Sequence, residues 1–148
     1  VFGGLAARYL GTGSAWLAIV AAGGLGNLTN AWLHGPDHRS IGASTAVFAA
    51  LGLLVADAIR RRHHLPASPL RRWSPLVGGI LLLAYTGTGG ERTDVVAHLT
   101  GFLAGLALGV PLSRASPAWL GRPRLQSAAG GFGLALIALG WLLALAAA

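Results

Sequence analysis

Two side chains in this sequence have types that can work as a pair, Ser44 and His98. A serine hydroxyl becomes a useful nucleophile when a neighbouring base takes its proton, and histidine is the side chain whose ordinary pKa suits that task near neutral pH. The segment Gly42-Ala43-Ser44-Thr45-Ala46 reads as the start of a helix, where backbone N–H groups lack intrahelical partners and can face a developing oxyanion. Gly42, two residues before the serine, lets another backbone come close. The second segment, Ala97-His98-Leu99-Thr100-Gly101, runs on to Gly105 and Gly109, a ridge of small residues at four-residue spacing that permits close helix contact. Each residue also has a plainer reading. A serine in a membrane helix commonly packs at a small-residue interface, and a histidine near a helix end can bond a loop carbonyl. An ionisable side chain inside an apolar run is nevertheless costly, which makes His98 the stronger pointer to function.

The elements that must carry these residues follow from composition. The chain of 148 residues is 54% hydrophobic and 10% charged, too few ionisable groups to solvate an ordinary globular surface. Five stretches have little or no charge over a length that can cross a hydrocarbon core as a helix: 14–33, 41–59, 73–90, 94–112 and 127–148. The third is the weakest, diluted by Gly78, Gly79 and the tail Tyr85-Thr86-Gly87-Thr88-Gly89-Gly90. The expectation is an all-α, polytopic transmembrane bundle forming a single domain over 1–148, integral to the membrane and bound to the lipid bilayer. Ser44 and His98 lie three and four residues into their stretches, so both sit roughly 5 Å below the same end.

Charge sets the expected orientation. All 11 basic residues are Arg, and alternating spans put Arg39 and Arg92 on one side and all the others on the opposite side. The Arg-rich side is expected to be cytoplasmic, so the Ser44 and His98 stretches start at the outer face. These arginines interrupt apolar runs instead of lining one polar surface, which argues against a nucleic-acid partner. There are 0 cysteines, hence no thiolate site, and His63 and His64 follow three arginines where solvent or lipid headgroups await them. No metal and no cofactor are expected. Asp94, one turn before His98, is placed in Thr93-Asp94-Val95-Val96 to cap a helix, a reading preferred over that of a third catalytic member. Asn27-Leu28-Thr29 matches a glycosylation pattern but falls inside an expected span and is discounted.

With these motifs in view, Gly42-Ala43-Ser44-Thr45-Ala46-Val47-Phe48 and Ala97-His98-Leu99-Thr100-Gly101-Phe102-Leu103-Ala104-Gly105 resemble the two catalytic spans of rhomboid intramembrane serine proteases. Gly3-Gly4, Arg8 and Gly11-Thr12-Gly13 are similar to the end of that family's second span and the turn into its third, so the resemblance extends to Leu112. It implies a Ser/His dyad that cuts single-pass transmembrane protein substrates near the membrane surface, with Ser44 as nucleophile, His98 as general base and the Ser44 backbone N–H in the oxyanion hole. It further implies support from Phe48, packed against the catalytic His, and from Gly101 and Gly105 where the spans touch. The family's second-span His and Asn, further oxyanion donors, have no counterpart: Asn27, Asn30, His34 and His38 lie in or after the following span. The chain, which starts at Val1, reads as a fragment lacking the first two spans, and the remaining donors are expected upstream. Thr45 stands where many members carry Gly, and 127–148 fits forms with an added seventh helix. The expected location is a bacterial inner (plasma) membrane, multi-pass, with the active site opening to the outer side. The alternative is a non-catalytic rhomboid-like adaptor or chaperone that binds membrane helices. A small unrelated transporter would call for paired broken helices in inverted halves, a symmetry this sequence lacks.

Overall fold

The computed structural model describes residues 1–35, 43–61, 77–82, 84–85 and 94–146, and these are helical almost throughout, with no strand among them. In chain order the helices are α1 (Phe2–Leu10), α2 (Thr12–His34), α3 (Ser44–Arg61), α4 (residues 77–82), α5 (Val95–Leu112), α6 (Pro117–Leu120) and α7 (Pro123–Ala146). The fold class is all-α. Most of the expected stretch 73–90 lies outside the described residues, as do Gly42, His38, His63 and His64.

Local chemistry accounts for the helix ends. Gly11, with φ of 79°, turns the chain between α1 and α2 in a conformation that a side chain would disfavour. Ser116 caps α6 by accepting from Trp119 N–H, and Pro117 follows in the first turn, where its missing N–H costs nothing. The helix α5 starts at an Asp94 cap, so that residue takes the capping role its sequence context suggests.

Among the described residues two helices, α5 and α7, are long and apolar enough to cross a membrane by length and composition. The other two long helices are more polar for identifiable reasons. α2 carries Asn27, Thr29 and Asn30 among its glycines, and α3 ends in Asp57, Arg60 and Arg61. α7 is the most apolar in its setting: Phe132, Leu134, Trp141 and Leu142 are all exposed, a surface that water would penalise and lipid would accept.

The helix α2 packs on α1, α3, α5 and α7, and α3 packs in turn on α1 and most extensively on α5. One core cluster joins Ala6 and Leu10 of α1 to Ile19 of α2 and to Ala50 and Leu53 of α3; a second joins Phe48, Leu51 and Val55 to Phe102 of α5. Close approach depends on small residues. A Cβ on Gly52 would run into Phe102 O and come within 2.6 Å of Leu106 N, and one on Gly105 would collide with Ala49 O, so α3 and α5 meet backbone to backbone. α2 runs antiparallel to both, with Gly23 against Ala46, Gly26 against Gly101, and Asn30 beside Asp94.

Candidate functional site

Ser44 opens α3. Val47 N donates to Ala43 O at 3.1 Å, which makes Ala43 the cap and Ser44 the first helical residue, so its amide has no intrahelical acceptor. The Ser44 side chain is half-buried. His98 is the fourth residue of α5 and 7% exposed, with its N–H donating to Asp94 O at 3.2 Å.

The register of α3 and α5 brings the two to a common level. Gly52 faces the backbone of Gly105 and Leu106. About two turns back along each of these parallel helices lie Ser44 on one and Ala97 and His98 on the other. Phe48, one turn after Ser44 and 6% exposed, sets its ring against the His98 imidazole with centroids 4.4 Å apart and planes inclined by 36°. That contact narrows the orientations open to the imidazole from one side.

Below this level the helices are pinned by Thr45, which is 2% exposed. Its methyl group lies where a Cβ on Gly26 would come within 3.0 Å and one on Gly101 within 2.8 Å, so a single side chain fills the junction of α2, α3 and α5. Gly101 also faces Thr45 O, and one turn on Gly105 faces Ala49.

The polar anchor of this region is Asp94. One carboxylate oxygen accepts from Ala97 N–H at 2.9 Å, and the other accepts from the Asn30 side-chain amide at 2.7 Å. The His34 ring Nδ1 lies 3.1 Å from Asn30 O, the next contact along the same helix edge. Thr100 turns its hydroxyl back to Val96 O at 2.9 Å and Ala97 O at 3.1 Å, which satisfies it within α5.

An apolar cavity of about 330 Å³ opens between the first part of α3 and helices α1 and α2, bounded by Ala43, Ala46, Val47, Phe2, Trp16 and Ile19; Ser44 is not in its lining. Another, of about 250 Å³ and lined by Tyr9, Asp57, Arg60 and Ser113, lies towards the far end of α3. The first has the lining an apolar peptide side chain requires; the second is removed from Ser44 by more than three helical turns. Among the described residues no group of three His, Asp or Glu side chains could hold a metal ion.

Three features escape a reading of the sequence. The Asn30 to Asp94 bond joins residues 64 positions apart, and nothing local announces it. The small face of α2, Gly23, Gly26 and Asn30 at steps of three and four, did carry a helical period that could have identified it. Gln126 of α7 accepts from Ser14 N–H at 3.0 Å, and its amide nitrogen, with two hydrogens to share, lies 3.0 Å from Leu10 O, 3.0 Å from Ser14 Oγ and 2.6 Å from Leu120 O, which ties the start of α7 to the turn between α1 and α2. A lone glutamine at a helix start gives no sign of this.

A family model described as the Rhomboid domain matches residues 1–115. No curated protein and no solved structure matches the chain significantly. The matched residues contain α1 to α5 and both segments that carry Ser44 and His98, whereas α7 lies beyond them.

Proposed function

The chain belongs to the rhomboid family, and from that premise we propose that it is an intramembrane serine protease in which Ser44 is the nucleophile and His98 the general base. His98 takes the Ser44 hydroxyl proton as the oxygen attacks the scissile carbonyl carbon. The negative charge that develops on the carbonyl oxygen is met by the Ser44 amide at the start of α3. His98 then passes its proton to the departing amine, and the C–N bond breaks to leave an acyl-enzyme. Water, deprotonated by His98, attacks that ester, and the proton returns to Ser44 as the carboxylic acid leaves.

The observation that carries this reading is the common level of Ser44 and His98 on two helices in backbone contact, with the His98 ring held against Phe48. The protein is a membrane protein. We further read it as multi-pass in a bacterial plasma membrane; the distribution of arginines between loops favours Ser44 towards the outer face.

The test is cleavage of a single-pass transmembrane substrate by the protein reconstituted in liposomes. Ser44→Ala and His98→Ala are each expected to reduce cleavage by on the order of 10³-fold or more. Cleavage that survives either substitution sinks the dyad. Substrate binding without any cleavage by the unaltered protein would instead make it a helix-binding adaptor.

A further inference from the structure

The dyad explains Ser44 and His98 but leaves the bond between buried Asn30 and half-buried Asp94 beside them without a task. Asn30 is 1% exposed, deep between α2 and α5, and an apolar residue would fill that place at lower cost. Its amide donates to Asp94 over 2.7 Å, a short bond strengthened by the carboxylate charge. A carboxylate only accepts, so the amide must present its nitrogen to it. The same carboxylate holds Ala97 N–H at 2.9 Å, and the Asp94 backbone carbonyl takes His98 N–H at 3.2 Å. One residue therefore grips the backbone immediately before and at the histidine, while its outer oxygen is moored to a different helix.

We propose that Asn30 and Asp94 form a positioning pair that fixes the first turn of α5 and so aims the His98 ring at Ser44. The first turn of a helix is where backbone bonds open most readily, because its amides lack intrahelical acceptors. His98 lies in that turn, and each residue of slippage there rotates a side chain by about 100° around the axis. The packing of Gly101 on Thr45 holds α5 from one turn further on but leaves its end to the Asp94 cap. The inference rests on His98 being the base, and its consequences can be read separately from that assignment.

The experiment compares the parent protein, Asn30→Asp, the exchanged pair Asn30→Asp with Asp94→Asn, and Ser44→Ala, all in liposomes. Asn30→Asp replaces the amide donor with a second carboxyl group, which repels Asp94 whenever both are ionised. The exchanged pair restores one donor and one acceptor and keeps a good cap, since Asn caps as well as Asp. Asn30→Asp is expected to lower kcat by about 10- to 100-fold with KM changed less than about 2-fold, the mark of misplaced chemistry and not of lost binding. Hydrogen exchange at the Ala97 and His98 amides should speed by about 10-fold. The exchanged pair should return both to within about 3-fold of the parent. Unchanged kcat and exchange in Asn30→Asp overturns the proposal, as does exchange that responds without kcat, or failure of the exchanged pair to recover. Cleavage that persists in Ser44→Ala sinks the underlying protease reading instead, and the exchange rates alone then decide whether the pair holds the turn.

Discussion

Phe48 offers the cleanest way to separate geometry from chemistry at the level of single residues, because it touches His98 yet has no proton to give. Phe48→Leu keeps an apolar side chain in a buried position, so its cost in stability should stay near 1 kcal/mol. It removes the flat face against the imidazole, and kcat should fall by about 10-fold at nearly constant KM. Phe48→Ala should cost about 3–5 kcal/mol and lose both fold and activity. Thermal unfolding measured beside kinetics distinguishes the two outcomes, and equal losses in stability and rate for Phe48→Leu would mean that the ring only fills space. The chemical residues were legible because Ser44 and His98 stand at matching depths in two charge-poor stretches, each within a run of small residues. Asn30 was not legible. Its partner lies 64 residues away, and a polar residue in a helix rich in glycine gives no sign of which neighbour it will meet.

At the level of elements, the contact between α2, α3 and α5 depends on where Cβ atoms are absent. A Cβ on Gly26 would approach Gly101 Cα to 2.7 Å, whereas one on Gly24 would meet nothing within 4 Å. Gly26→Ala should therefore destabilise the protein by about 1–3 kcal/mol and impair cleavage, because α2 and α5 must part. Gly24→Ala should be neutral or stabilising by up to about 1 kcal/mol through helix propensity. Thermal midpoints of the two variants, measured side by side, check the packing of α2; equal midpoints would contradict it. Gln126→Leu should lower stability by about 1–3 kcal/mol, since it leaves Leu10 O and Ser14 N–H without the side-chain partner that α7 provides. Helix positions were readable from charge-poor runs bounded by Gly, Pro and capping residues, and the spacing of Gly101, Gly105 and Gly109 marked a close-packing face. That Gly101 and Gly105 would meet the Ser44 helix followed from the family resemblance, and they do meet it; that α2 would close on α5 was not readable, since periodicity describes one helix at a time.

For the whole molecule, the question is how a chain with so much exposed apolar surface sits in a bilayer. The outer faces of α7 and α2 expose Trp141, Leu142, Leu28 and Trp32, consistent with lipid as the surrounding medium. The family match ends at residue 115, so α7 is attached to the matched part by its own contacts, through Gln126 and through Gly133 against Leu17. With 0 native cysteines the topology is directly testable. Ala43→Cys should react with a membrane-impermeant maleimide from outside the cell, and Arg114→Cys only after the inner side is opened. Labelling of both from one side would contradict the orientation. Composition was enough to indicate a membrane, but a count of spans was harder to draw from it. α2 and α3 mix polar groups into their length: Asn30 and Thr45 are covered by neighbouring helices, whereas Asn27, Thr29 and Arg60 are exposed, and a hydropathy rule cannot distinguish the two cases.

The measurement that bears most directly on the central claim is the site of covalent capture by a fluorophosphonate, a probe that reacts with activated serine hydroxyls whatever the natural substrate. The reconstituted protein should form one adduct, located by peptide mass spectrometry on Ser44, absent from Ser44→Ala and slowed by on the order of 10³-fold in His98→Ala. An adduct on another residue, or capture that persists at the parental rate in either variant, would contradict the assignment of nucleophile and base.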